Sequence, residues 1–175
     1  MPIKNKIYNF VSKDKKGKAR NCGKMEIKSQ TDGTPELYFY GDITGSSFEN
    51  WQDEDKCPQD VADFLNQLNG QKSINVYINS GGGDSFAGLA IYNMLKRNPA
   101  TKNVFVGGLA ASAASIIAMA GDTITIPSTA ELMIHNAWTM LMGNANDLRS
   151  VADSLDKVDE SMLNVYMENV KDDVT

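Results

Sequence analysis

Twice along this 175-residue chain a short β-branched run stops at glycines and gives way to a helical pattern. Ile74–Ile78 reads as a strand and Asn79-Ser80-Gly81-Gly82-Gly83-Asp84 as a glycine-rich turn. Residues 85–97 follow as a helix, with Phe86, Leu89, Ile91, Met94 and Leu95 apolar and Pro99 just beyond its end. Val104–Val106 is the next strand, broken by Gly107-Gly108 and followed by a small-residue helix over Ala110–Ala120 that stops at Gly121. This alternation predicts an α/β domain with parallel strand pairs.

The flanking sequence fits the same plan. A strand is expected at Lys24–Lys28 and another at Leu37–Tyr40, with turn signals at Lys16-Gly17 and Asp32-Gly33-Thr34-Pro35. Residues 43–57 are polar and read as a loop, and Val61, Phe64, Leu65 and Leu68 fall at helical spacing before Gly70. Thr123–Ile126 and Leu132–Ile134 are further strands. From Asn146 the chain reads as one long helix, with Leu148, Val151, Leu155, Val158, Met162 and Val165 spaced alternately by three and four. Such a narrow heptad seam serves packing on the helix's own sheet or outside the domain that carries it.

Charge narrows the range of partners. Residues 1–20 hold seven Lys/Arg against one acid, Asp14, while the chain as a whole carries −5. That balance argues against nucleic acid as the main partner, because phosphate binding needs a basic face. The basic N-terminal arm is able to meet a polyanion, dock on the acidic body of another copy, or stay solvated. Cys22 and Cys57 lie in no CxxC or Cys/His cluster, so they are expected to be free thiols in a reducing compartment. Residues 103–121 are uncharged, but their glycines, serines and alanines make them too weakly apolar for a membrane span.

Three places bear chemistry. His135 is the only histidine, so any imidazole-dependent acid–base step must use it. It follows the strand Leu132-Met133-Ile134, although a lone histidine is more commonly structural. In Gly107-Gly108-Leu109-Ala110-Ala111-Ser112-Ala113-Ala114-Ser115 a strand stops and a serine opens a helix among small neighbours. That is the logic of a nucleophile turn, and equally of a simple helix cap. The run Asn79-Ser80-Gly81-Gly82-Gly83 exposes backbone N–H groups able to hold an anion or an oxyanion, but lacks the pattern of a P-loop.

Together the three resemble the Clp protease proteolytic subunit family, of the Clp/crotonase fold. Ile78-Asn79-Ser80-Gly81-Gly82-Gly83 is similar to its I-N-S-P-G-G, Gly108-Leu109-Ala110-Ala111-Ser112 to its G-x-A-A-S, and Met133-Ile134-His135 to its M-I-H. The likeness runs from about Leu37 to Met167, and the wording around it is closer still to Clp-protease-like proteins of phages and prophages associated with head maturation. It implies repeated β-β-α units with a protruding handle helix. The expected parts are a basic arm or hairpin at 1–35, a head domain at 36–145 and the handle at 146–175. Residue by residue, the resemblance makes Ser112 the nucleophile, His135 the general base, and the backbone N–H groups of Gly83 and Ala113 the oxyanion donors. Ser115 is the rival hydroxyl, one turn further on.

The resemblance further implies peptide or protein substrates, a homo-oligomeric ring stacked through the handle, a cytoplasmic setting and no cofactor, metal, nucleic acid or membrane. An ATPase unfoldase partner is left open. Gly81 stands where the family has proline. The family's triad Asp would fall past Thr175, and Asp172 and Asp173 lie too near the helix to match it. The sequence therefore leads us to expect a truncated, weakly active or inactive peptidase. The alternatives are a non-catalytic scaffold or a crotonase-type acyl-CoA enzyme. A Ser–Lys dyad is discounted because no lysine follows Ser112 before Lys157. Trp51 and Trp138 are candidates for a substrate groove or for packing.

Overall fold

The computed structural model describes residues 4–14, 16–30, 33–44 and 57–170, with 57–60 by their backbone alone. Trp51, Asp172, Asp173, the Cys57 side chain and most of the expected 43–57 loop lie outside the described residues. The chain divides into two compact units, Met1–Met133 and Ile134–Thr175.

The first unit is a mixed α/β structure on a seven-stranded sheet. Its strands are β1 (Lys6–Lys13), β2 (Ala19–Ser29), β3 (Pro35–Gly41), β4 (Ser73–Ser80), β5 (Thr101–Ala111), β6 (Thr123–Thr125) and β7 (Glu131–Met133). They pair in the order β1-β2-β3-β4-β5-β6, while β7 also pairs with β5. The first three are antiparallel and β3, β4, β5 and β6 run parallel, as the strand–helix alternation predicts. β6 takes the start of β5 (Asn103↔Thr123) and β7 its end (Ala111↔Met133).

Alternation along the strands separates two faces. Met25, Ile27, Leu37, Phe39, Ile74, Val76 and Ile78 are fully buried, and Val104 and Val106 nearly so. Across the other face Tyr38 stacks on Tyr77 at 4.9 Å and Tyr77 on Phe105 at 5.2 Å, ring on ring across three paired strands. Desolvation and the neighbouring Glu36 carboxylate push the Tyr38 hydroxyl well above the usual tyrosine range and raise that of Tyr77.

The helices of this unit are α1 (Cys57–Leu65), α2 (Ser85–Arg97) and α3 (Ala113–Ala118). Asp84 caps α2, accepting from the N–H groups of Phe86 and Ala87, and Gly88, Ile91, Tyr92 and Leu95 form its buried stripe. Phe86 lies outside that stripe and is 59% exposed. No helix among the described residues is long and apolar enough to cross a membrane.

Two sequence expectations need correcting. Gly107-Gly108 do not break β5, which runs through both. The ladder to β4 slips between Ile78 and Ser80, and a Cβ on Gly108 would stand 3.2 Å from the Asn79 carboxamide oxygen. Gly108 thus makes room for a neighbour rather than a turn. The helix expected over Ala110–Ala120 is only six residues long, because Ala110 and Ala111 still belong to the ladder with β7.

At the start of β5, Lys102 is 5% exposed. Its Nζ donates to the carbonyls of Ala100 (2.8 Å) and Asn98 (3.2 Å) and lies 3.1 Å from Asp122 Oδ2. Partial burial works to raise the Asp122 carboxyl, but the Lys102 amide and ammonium outweigh it and hold the group below the usual range. Asp122 thus stabilises the fold fully above the ordinary carboxylate pKa of about 3.9 and loses that contribution as pH falls below it. Accordingly, Asp122→Asn is expected to lower the urea midpoint at neutral pH, with the difference from wild type closing below about pH 4. Lys102→Met, which orphans two carbonyls, is expected to cost about 1–3 kcal/mol in the same titration.

Candidate active site

Ser112 is the single residue between the end of β5 and the start of α3. Its backbone, at φ 52° and ψ −126°, is the one positive-φ conformation at a non-glycine among the described residues. Such a conformation costs a serine about 1–3 kcal/mol and persists only where its surroundings impose it. Here the Ser112 N–H donates to Met133 O at 2.9 Å, continuing the β5–β7 ladder. Its carbonyl accepts from Ser115 N at 2.9 Å and Ser115 Oγ at 2.6 Å. Strand and helix thus grip both sides of one sharp turn, and the half-buried serine side chain makes no cap to the helix. Ser115, by contrast, is completely buried and its hydroxyl is committed to that carbonyl.

The glycine-rich turn packs directly on this bend. A Cβ on Gly82, whose φ is 92°, would stand 2.5 Å from Ala111 O, 2.7 Å from Ser112 Cβ and 3.0 Å from Ala113 N. Only glycine permits that approach. Ser80 is 3% exposed and fixes the loop, donating to Gly41 O at 2.6 Å and accepting from Gly82 N at 3.1 Å. On the far side, Ile43 N donates to Gly82 O and Asp84 N to Ile43 O, both at 2.8 Å. Gly83, at φ 143°, lies against Ile43. The N–H of Ala113, at the first helical position, has no acceptor within α3. Nor is the Gly83 N–H taken up by a turn or loop bond among the described residues.

Ser112, Ala113 and the loop 79–83 are therefore brought together within one unit. Sequence reasoning flagged the glycine run but assigned no role to Gly82 or Ser80, and it missed Gly88. A Cβ on Gly88 would lie 2.9 Å from Ala113 Cβ, so this glycine lets α2 pack against the start of α3. The chain offered a signal in each case: a buried-size serine inside the glycine run, and one glycine in the apolar stripe of a helix.

His135 belongs to the second unit, two residues past Met133, and is half-buried. The segment that follows it reaches α4 (Ala145–Met167), whose N-terminus carries a reciprocal capping box between Asn144 and Asp147. Along the heptad seam Val158, Met162 and Val165 are buried, whereas Leu148 is exposed. Trp138, at 71% exposure, is no core residue. Among the described residues no three His, Cys, Asp or Glu side chains gather as a metal site would require.

Comparison with known proteins bears on the same segments. Residues 52–175 match the family model described as Clp protease. A curated relative, the "ATP-dependent Clp protease proteolytic subunit" of Deinococcus radiodurans, is 32% identical over 106 residues, covering 59% of this chain and 52% of the relative. The chain thus spans about half the length of that protein. With a matched region that takes in the glycine loop, the Ser112 bend and the lone histidine, the chain belongs to the Clp protease family.

Proposed function

We propose that the chain is a Clp-type serine endopeptidase in which Ser112 is the nucleophile and His135 the general base. What carries the reading is the imposed left-handed backbone of Ser112 at a strand-to-helix bend, with the Gly82 backbone packed on it. A serine held in a strained strand–helix turn presents its hydroxyl away from the helix and free for attack. Ser112 Oγ adds to the peptide carbonyl as its proton passes to the imidazole of His135. Negative charge on the carbonyl oxygen is met by the N–H groups of Gly83 and Ala113. The C–N bond then breaks, the imidazolium returns its proton to the leaving amine, and water hydrolyses the acyl-enzyme along the same route.

Membership of the Clp protease family supports peptide or protein substrates and a ring-shaped oligomer, with α4 as the handle between rings. The finer assignment is to head maturation in a phage or prophage, on the wording of residues 84–97 and 108–121. A fluorophosphonate needs only one attack by a serine hydroxyl, so it reports the nucleophile directly.

Incubation with a fluorophosphonate is expected to add one adduct to the intact mass, lost in Ser112→Ala and strongly slowed in His135→Ala. Equal labelling of Ser112→Ala and wild type would overturn the proposal. Gly82→Ala drives a methyl into Ser112 and Ala113; it is expected to slow labelling about 10²-fold and to cost about 1–3 kcal/mol in urea.

A further inference from the structure

His135 opens a stretch with little to hold it. Residues 134–144 form neither helix nor strand, and 134–143 make no backbone-to-backbone hydrogen bond among themselves or with α4. Their apolar side chains provide no anchor: Met140 is 88% and Met142 97% exposed. One side chain of α4 supplies what is missing. Asp159 Oδ1 accepts the Ala137 backbone N–H at 2.6 Å, and its Oδ2 accepts Asn136 Nδ2 at 2.8 Å. Both bonds are charge-assisted, and each carboxylate oxygen takes one donor. Asp159 is itself firmly placed, half-buried in the middle of α4 beside the buried Val158 and one turn before the buried Met162.

We propose that Asp159 is a positioning residue for His135: its carboxylate pins the two residues that follow the histidine to α4, and so fixes where the imidazole is presented. The clamp acts on the backbone that carries the ring and takes no proton. Its catalytic consequence rests on the reading of His135 as base; the clamp itself does not. A base must be held within about 0.5 Å of its working position, and the covalent tether from Ala137 to His135 is short enough to transmit such control.

The only histidine of the chain gives one set of imidazole signals, so its placement is readable by NMR in the intact protein. Asp159→Ala removes the acceptors of both the Ala137 N–H and the Asn136 amide. It is expected to shift or broaden the His135 ring signals and to slow fluorophosphonate labelling of Ser112 roughly 10- to 100-fold. Asn136→Asp alone opposes two carboxylates and is expected to do at least as much. Asn136→Asp combined with Asp159→Asn reverses donor and acceptor at unchanged net charge, and is expected to restore both readouts. A merely structural aspartate would move the urea midpoint, measured in parallel, but not the ring signals or the labelling rate of the folded protein. Ring signals in Asp159→Ala that superimpose on wild type would overturn the proposal, as would a double variant no better than Asn136→Asp alone. Should the ring signals respond and recover while Ser112 never labels in wild type, the clamp stands and the peptidase reading falls.

Discussion

A serine held at positive φ is the constraint around which the first unit is organised. Left alone, Ser112 would relax toward the ordinary regions of backbone space. It is prevented by the ladder that delivers Met133 O to its amide, by the first turn of α3 closing on its carbonyl, and by the Gly82 backbone filling the space behind it. Each of these needs the others. Pairing with β7 carries β5 on to Ala111, and the tight bend at Ser112 then lets α3 begin at the next residue but one. Glycine at position 82 is the condition for the loop to come so near.

The supporting framework is conventional by comparison, and that is its use. Buried aliphatic side chains on one face of β2 to β5 make a stiff platform. Lys102 and Asp122 tie the start of β5 to the approach to β6, with the ammonium satisfying carbonyls that would otherwise be stranded. Strain at Ser112 is tolerable because it is a small charge against such a core.

Much of this framework was legible in the residues. β4 and α2 fall close to the expected positions because their signals are local: alternating β-branched residues, an Asp84 cap and a Pro99 stop. Gly107-Gly108 misled because glycine marks either a turn or a close neighbour, and the neighbour, Asn79, is on another strand. The length of α3 depended on β7, a three-residue strand some twenty positions later, which no local pattern reports. At the candidate site, the motif order pointed to Ser112, Gly83, Ala113 and His135, whereas the backbone conformation of Ser112 has no signature in a run of small residues. Asp159 was hidden for a different reason. On a solvated helix an aspartate looks like any other, and its significance comes only from what lies across from it.

β6 and β7 share one edge of β5 in succession, and each contributes a ladder of just three residues. Edges assembled from such short pieces open piecemeal, at a free energy well below that of dismantling the core. Release of β7 alone would withdraw the acceptor from the Ser112 amide while β2 to β5 stayed packed. The Ser112 bend is thereby a separately meltable unit, whose order hangs on three residue pairs rather than on the core.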